Sequence, residues 1–274
     1  MRIRAAGLRT KPLNLQKERI RAMNREEADE YLYCAMDIGQ PLLQSGAEVN
    51  RVEDTVARIM NAAGVPDVEV FSITSTVTAT AHIGQLQTIT QMRRIYGVTT
   101  NMQRISELNQ LSRDICSRHL KPDEIRRRLA DIRAEKPLNT RIMILGYALV
   151  SGSFALFFGG DTADCIASAM VGALLYLFER FLLSRLTSNH LMTALLWSAM
   201  GGLLAQIAVT LGLGHHADLI SIGNIMLYIP GVAFTNSIRD LFIGDTITGV
   251  IRFLESLLLA AIIAVGFTIT TQLF

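Results

Sequence analysis

The chain has 274 residues, half of them hydrophobic, and a formal net charge of +2. The three cysteines, Cys34, Cys116 and Cys165, lie far apart without the spacing of a disulfide framework or a zinc site, so both are disfavoured. The positive mean hydropathy of +0.33 points instead to a membrane protein, and no nucleic-acid partner is predicted.

The charged residues are concentrated in the first half of the chain. Residues 1–140 hold 21 of the 26 Lys and Arg and 17 of the 24 Asp and Glu, whereas residues 141–274 hold 14 of the 20 glycines. A polar segment followed by a charge-poor, glycine-rich one predicts a water-soluble domain followed by a membrane domain. Lys136-Pro137 marks the boundary, which gives a soluble domain over 24–136 and a transmembrane domain over 137–274.

Residues 1–23 are predicted to form a basic N-terminal tail. The first 20 residues carry six Lys and Arg against one Glu, but they lack the apolar core of a signal peptide. A solvated terminus is the simpler interpretation, and contact with anionic lipid headgroups is the alternative.

The soluble domain is predicted to combine helices with strands. Helical periods of apolar residues occur in four segments: 26–44, the stretch that ends at Gly64, 101–118 and 122–135. The runs VEVFSITSTVTATAHI and QLQTITQMRRI instead alternate in the manner of strands. These patterns predict a cytoplasmic α+β domain.

No catalytic motif is evident in this domain. The candidate catalytic side chains for a hydrolase are Ser45, Glu48, His82 and His119. Their geometry is not fixed by a nucleophile elbow, a P-loop or a dinucleotide fingerprint. The adjacent pair His215-His216 is a poor metal chelate without further ligands. Catalysis, a resident metal, a cofactor and an ATP-driven pump are therefore disfavoured.

Five stretches of the second half are apolar and long enough to cross a membrane, which takes about 20 residues of helix. They cover approximately 142–160, 162–183, 191–213, 219–238 and 247–274. The second is the weakest, because Glu179-Arg180 lie near its end. The predicted fold class is a polytopic α-helical membrane protein with five transmembrane helices and an N-terminal cytoplasmic α+β domain.

The basic residues fall on alternate sides of the predicted spans. The basic soluble half precedes the first span, Arg185 follows the second and Arg239 follows the fourth. By the positive-inside rule this places the N-terminus in the cytoplasm and the C-terminus on the outer side of the membrane.

The fourth predicted span is interrupted and then followed by charges. Pro230 removes a backbone hydrogen bond and Gly231 relaxes the chain beside it, as in the broken helices that build substrate sites in transporters. A plain proline kink is the alternative. Polar side chains follow at helical spacing: Asn236, Arg239, Asp240, Asp245, Arg252 and Glu255. Opposite charges beside a broken helix favour a pathway for substrate and protons over simple snorkelling to the interface.

The side chains of this pathway have different predicted roles. Arg239 or Arg252 could hold a substrate carboxylate by two hydrogen bonds. Asp240 or Asp245 could carry the coupling proton, since a carboxylate in a partly dry site takes up a proton more readily. Asp161, in the loop GGDTAD, is a weaker candidate for the outer mouth of the pathway.

Three segments carry motifs that occur together in one family of transporters. They are LLQSGAEVNRVEDTVARI (Leu42–Ile59), FGGDTAD (Phe158–Asp164) and IPGVAFTNSIRDLFIGDTITGVIR (Ile229–Arg252). All three resemble motifs of the threonine/serine exporter family, and the resemblance covers approximately residues 25–274. The first is similar to the signature of the family's N-terminal domain and includes Ser45, Gly46, Glu48, Arg51 and Glu53.

The resemblance implies a secondary, proton-linked exporter of small amino acids such as threonine and serine, or of dicarboxylates such as succinate. It also implies a second, smaller membrane subunit or a homo-oligomer, because five-span members of the family divide the function between two chains. A membrane-tethered hydrolase and a membrane sensor with a cytoplasmic ligand-binding domain are the alternatives.

Overall fold

The computed structural model describes residues 24–83, 87–134, 138–187 and 189–272. The predicted N-terminal tail and the predicted boundary at Lys136-Pro137 lie outside these residues. The chain divides into two compact units: the N-terminal unit (Met1–Glu135 with Ile238–Val250) and the membrane unit (Lys136–Ser237 with Ile251–Phe274). The inclusion of Ile238–Val250 in the N-terminal unit is a feature that hydropathy alone does not predict.

Four helices form most of the N-terminal unit: α1 (Arg25–Gln44), α2 (Val49–Ala63), α3 (Met102–Arg118) and α4 (Pro122–Arg133). The side chain of Asn101 caps α3 by accepting the N–H of Arg104. Gly64 ends α2 with a φ of 106°, a left-handed conformation that glycine adopts without strain. The apolar faces of these helices enclose a core that includes Leu32, Val56, Leu108 and Ile125.

Three antiparallel strands, β1 (Val68–Ile73), β2 (Thr76–Ile83) and β3 (Gln87–Arg94), form a sheet in the order β1-β2-β3. The segments predicted as strands do form strands, but the first run folds back on itself. Ser72 pairs with Val77 across the hairpin, and Thr74-Ser75 form its turn. Val77, Ala79 and Ala81 on one face of β2 are buried in the core of the unit.

Six further helices follow in the chain: α5 (Thr140–Phe157), α6 (Thr162–Phe178), α7 (His190–Thr210), α8 (Ala217–Ile225), α9 (Gly231–Ile243) and α10 (Thr246–Thr271). Helix α6 continues through a π-helical segment, Glu179–Leu183, and a last α-helical turn. Within the described part of the chain, α5, α6 with its continuation to Leu183, α7 and α10 have the length and hydropathy of membrane-spanning helices.

The predicted fourth span is not a single helix. Residues 219–238 are divided between α8 and α9, which are separated by residues 226–230. The five predicted spans therefore correspond to four continuous helices and one divided pair. The division coincides with Pro230-Gly231, where the sequence predicts a break.

Small residues bring α5, α6 and α8 into close contact. A Cβ at Gly152 would lie 2.9 Å from a carbonyl oxygen of α6, and one at Gly172 would lie 2.8 Å from the Cβ of Ser151. The hydroxyl oxygens of Ser151 and Ser168 are 2.7 Å apart, and the Ser151 hydroxyl lies 2.8 Å from Oδ1 of Asn224. These polar groups satisfy one another inside the membrane unit, as buried polar groups must.

Replacing Gly223 by alanine is expected to separate α8 from α5 and α6. The new Cβ would lie 2.6 Å from both the carbonyl oxygen of Ser151 and Oγ of Ser168, and the two hydroxyls are held by hydrogen bonds. Overpacking of this kind costs about 1–3 kcal/mol, so the Tm in detergent should fall. Gly146→Ala is the matched control, because a Cβ there meets no atom within 4 Å. Equal Tm values for the two variants would contradict the prediction.

Candidate substrate site at the turn between α9 and α10

The turn between α9 and α10 is built by two glycines and an aspartate. Gly244 ends α9 with a φ of 105°, and the N–H of Asp245 then donates to the carbonyl of Asp240 at 3.0 Å. Asp245 precedes α10, and its own carbonyl accepts the N–H of Gly249 at 2.9 Å. A Cβ at Gly249 would lie 2.9 Å from the backbone nitrogen of Leu241, so only glycine allows the two helices to approach this closely.

The motif Ser45–Glu53 lies at the connection between α1 and α2. Ser45 is buried, and Gly46 has a φ of 87°, which is again the left-handed region that favours glycine. The N–H of Asn101 donates to the carbonyl of Ser45 at 3.1 Å and ties this connection to the start of α3. The connection thereby fixes Glu48 at the N-terminal end of α2.

An ion pair joins the two motif segments, which are 191 residues apart in the chain. Nη1 of Arg239 donates to Oε1 of Glu48 at 2.8 Å. The side chain of Glu48 is 19% exposed and that of Arg239 is 61% exposed. The guanidinium is therefore held at one end, yet its remaining N–H groups can be reached from solvent by a carboxylate.

Glu53 and Asp245 contribute the acidic part of the site. Oε1 of Glu53 accepts the backbone N–H of Ser72 at 2.7 Å and its hydroxyl at 3.1 Å. Burial raises the pKa of Glu53, the two hydrogen bonds from Ser72 oppose that rise, and the charge of Asp245 adds to it. Oδ2 of Asp245 is buried and has no hydrogen-bond partner among the residues that the structure describes.

Carboxyl groups and a guanidinium occur together in this site. Glu48 contacts Arg239, and the charge of Asp245 acts on Glu53, all within the N-terminal unit. Asp240 of the same unit is only 1% exposed. Partly buried negative charges are stabilised by an added cation or proton. The arrangement can therefore hold a carboxylate at Arg239 and an ammonium group or a proton at Glu53 and Asp245.

The other predicted site residues have different surroundings. Nε of Arg51 contacts Oδ1 of Asn109 at 3.4 Å. Pro230 immediately precedes α9 rather than bending a continuous helix, and its carbonyl accepts the N–H of Phe234 at 2.9 Å. Three predicted residues of the membrane unit are the half-buried Asn236, the buried Arg252 and the exposed Glu255.

A second polar cluster lies at the start of α6. Asp161 and Asp164 form a capping box there, and His215 and His216 come from the loop between α7 and α8. Nδ1 of His215 lies 2.6 Å from Oδ2 of Asp161, and Nδ1 of His216 lies 2.8 Å from Oδ2 of Asp164. Oδ1 of Asp164, which is fully buried, accepts the backbone N–H groups of both histidines.

This cluster has donors suited to a metal ion, but they bind one another. The ligand atoms of Asp161, Asp164 and His215 all lie within 4.8 Å of one another. The hydrogen bond to Asp164 raises the pKa of His216, and hydrogen bonds from the Asp164 N–H and the His215 ring lower the pKa of Asp161. The raised pKa of His216 favours an imidazolium–carboxylate pair with Asp164, and the hydrogen bonds of both histidines connect α6 to the α7–α8 loop. Asp164 could not be identified from the sequence as a site residue, because it follows Asp161 in a segment with the composition of a plain polar loop.

Glu53→Gln is expected to stabilise the protein increasingly as the pH rises. A carboxyl group whose pKa is raised by folding stabilises the folded state at low pH, and this contribution is lost as the pH rises through the raised pKa. Glutamine keeps an acceptor for Ser72 but carries no charge. The Tm of the variant minus that of the wild type should therefore grow above about pH 4, where glutamate ordinarily ionises. Glu69→Gln, at an exposed position of β1, should show no such trend. A difference that shrinks with rising pH would contradict the prediction.

Comparison with known proteins identifies relatives of this chain. A family model described as a threonine/serine exporter matches residues 33–274. The chain is 23% identical over 251 residues to the threonine/serine exporter of Corynebacterium glutamicum, a match that covers 87% of this chain and 50% of that protein. It is 22% identical over 241 residues to a probable threonine/serine exporter of Mycobacterium tuberculosis, covering 86% of this chain and 44% of that protein.

A third relative has a length similar to that of this chain. The protein of Escherichia coli named "Probable succinate transporter subunit YjjP" is 24% identical over 265 residues, covering 92% of this chain and 94% of that protein. The chain thus spans about half the length of the first two relatives and nearly all of the third. No solved structure matches the chain with significance.

Proposed function

Because the chain belongs to the threonine/serine exporter family, we propose that it is a subunit of a secondary, proton-coupled exporter of small carboxylate-bearing metabolites. The family is one of transporters rather than enzymes. The observation that carries the proposal is the contact between Glu48 and Arg239, which joins the two motif segments into one charged group. Such a group recognises a charged solute without offering an activated nucleophile.

The chemistry of the substrate follows from the charges of this group. Arg239 can bind a carboxylate by two parallel hydrogen bonds, and the acids Glu53 and Asp245 can bind an ammonium group. A dicarboxylate would bring a second negative charge towards those acids, which is unfavourable. The proposed substrate is therefore a zwitterionic amino acid such as threonine or serine. A dicarboxylate such as succinate is the second candidate, because the name of the E. coli relative contains it.

The topology of the chain supports five membrane crossings. The N-terminal unit precedes α5, so three crossings by α5, α6 and α7 bring the chain to the opposite side of the membrane. Residues 238–250 nevertheless belong to the N-terminal unit, and Arg239 among them contacts Glu48. The divided pair α8–α9 therefore completes a fourth crossing and α10 a fifth. With the N-terminal unit in the cytoplasm of a bacterial cell, the C-terminus lies outside the inner membrane.

The lengths of the relatives support a second subunit. The matched region makes up only about half of the C. glutamicum and M. tuberculosis proteins, so each of them is about twice as long as that region. The E. coli relative, which is similar in length to this chain, is named a subunit. We infer that this chain acts with a smaller membrane protein, or as a homo-oligomer, to complete the transport path. A monomer that transports unaided in liposomes would refute this part of the proposal.

Substrate efflux from cells tests the proposed function. Cells that lack the chain and are fed dipeptides containing threonine or serine should accumulate the free amino acid, and expression of the chain should restore its release. Unchanged efflux of amino acids and of succinate would refute the exporter. A phosphatase fused after Phe274 should be active and one fused at Thr187 inactive, whereas the reverse pattern would refute the topology.

A further inference from the structure

A carboxyl group lies in the membrane unit at the point where α6 leaves regular α-helical geometry. Glu179 is half-buried and is the first residue of the π-helical segment Glu179–Leu183. The hydroxyl of Tyr147, in α5, donates to its Oε2 at 3.3 Å. Single π-helical turns are rare and often occur at functional sites. In this protein the carboxyl group at the start of the π-helical segment contacts α5 through its hydrogen bond with Tyr147.

The groups around Glu179 are aromatic and uncharged. The ring of Tyr147 packs on Tyr176 with centroids 5.0 Å apart. Tyr228, between α8 and α9, lies close enough to Glu179 to interact with it electrostatically, and the ring of His190 lies 6.1 Å from that of Tyr228. The neighbouring Arg180 is exposed. Across the residues that the structure describes, no Lys, Arg or His forms an ion pair with Glu179.

An unpaired carboxylate is costly in a membrane, and binding of a proton removes its charge. The charge of Glu179 is therefore most simply removed by binding a proton and restored by releasing it. It also interacts electrostatically with Tyr228, which belongs to the break between α8 and α9. Transporters commonly form their substrate and coupling-ion sites at such breaks. Proton binding at this position can thus be linked to the divided pair.

Several polar side chains lie along one face of α6, which also includes Gly172. Asp164, Ser168 and Gly172 are four residues apart, and Tyr176 and Glu179 continue the same face. This face packs on α5 and α8, where Ser168 contacts Ser151 and Asn224. The stripe is about 22 Å long at 1.5 Å per residue, which is most of the thickness of the hydrocarbon. Glu179 and Asp164 thus lie near opposite ends of one face of α6.

We propose that Glu179 is the proton-binding carboxyl group of the transport cycle, an inference that rests on the proposed function. A proton from the outer side binds to a carboxylate oxygen of Glu179 and is released on the cytoplasmic side, while the substrate moves outward. The turn between α9 and α10 then serves substrate binding, and the proton is handled within the membrane unit. Tyr147 is a positioning residue, because its hydroxyl holds the carboxylate through one hydrogen bond.

Two transport assays on the full chain, expressed with its cellular partners in membrane vesicles, test this proposal. Net efflux driven by a pH gradient requires proton movement, whereas exchange of labelled for unlabelled substrate does not. Glu179→Gln should reduce gradient-driven efflux at least tenfold and leave exchange within about twofold of wild type (a tenfold change corresponds to about 1.4 kcal/mol). Tyr147→Phe should shift the pH profile of efflux without abolishing it. Asp218→Asn, which removes an exposed carboxyl group at the start of α8, should change neither assay.

The outcomes separate this proposal from the proposed function. If Glu179→Gln shows gradient-driven efflux at the wild-type rate, the proposed role of Glu179 is overturned. An equal reduction in the rates of gradient-driven efflux and of exchange overturns it as well. A wild-type protein that transports threonine, serine and succinate in neither assay overturns the proposed function instead. Infrared difference spectra between acid and alkaline pH give a readout that does not depend on transport. The wild type should show a protonated-carboxyl band that Glu179→Gln lacks, and an unchanged band overturns the proposal.

Discussion

Arg239→Ala should reduce amino-acid efflux by roughly ten- to a hundredfold while leaving the stability of the protein almost unchanged. The ion pair with Glu48 is exposed on the arginine side, and such pairs contribute only about 0.2–1 kcal/mol to folding. A hydrogen bond from a charged group to a bound substrate is worth about 1.5–3 kcal/mol, which corresponds to the larger loss in transport. Efflux and Tm, measured on the same preparations, separate the two effects.

Three further variants define the role of Arg239. Arg239→Lys keeps the charge but cannot form the planar two-point contact, so transport should remain at least several-fold reduced. The exchanged pair Glu48→Arg with Arg239→Glu restores an ion pair but not a carboxylate-binding group at position 239, so it should not restore transport. Arg58→Ala is the matched control, because it breaks an exposed ion pair with Asp54 in α2. Full recovery of transport in the exchanged pair would mean that Arg239 only ties the two segments together.

Local sequence patterns predicted the helices and strands of this structure better than they predicted the contacts between them. The break at Pro230-Gly231 could be predicted because proline cannot donate the helical hydrogen bond. The hairpin turn at Thr74-Ser75 could not be predicted, because serine and threonine favour turns more weakly than glycine, proline or asparagine and are also common in strands of this composition. The contact between Glu48 and Arg239 joins residues 191 positions apart, and no helical or strand period extends over that distance.

Buried polar residues were the hardest to identify from the sequence. Glu53 lies on an amphipathic helix, where a carboxyl group usually faces water, and its hydrogen bonds with Ser72 of β1 form only in the folded chain. Glu179 interrupts an apolar run, so on a hydropathy scale it only lowers the score of that span, and Asp164 lies in a short polar segment that resembles a loop. Their partners, Tyr147 and His216, come from other helices and loops and can be found only once the chain is folded.

Asp245→Asn should lower the transport of threonine and serine at least tenfold, mainly through a higher KM. The side chains of aspartate and asparagine have nearly the same shape, so the turn after Gly244, which depends on backbone hydrogen bonds, should be preserved. The change removes one of the two carboxylates proposed to hold the substrate ammonium group, a charged interaction worth about 1.5–3 kcal/mol. It also removes a charge that raises the pKa of Glu53, so that pKa should move towards its usual range.

Succinate gives the sharpest comparison for this variant. A dicarboxylate has no ammonium group to lose, and removal of the Asp245 charge reduces its repulsion from the site. Any succinate transport by the wild type should therefore be kept or increased in Asp245→Asn, which would reverse the preference between the two substrate classes. Asp67→Asn, at an exposed position before β1, serves as the control for loss of a carboxyl group in the same unit. An equal loss of amino-acid and succinate transport, at equal amounts of inserted protein, would show that Asp245 does not bind the ammonium group.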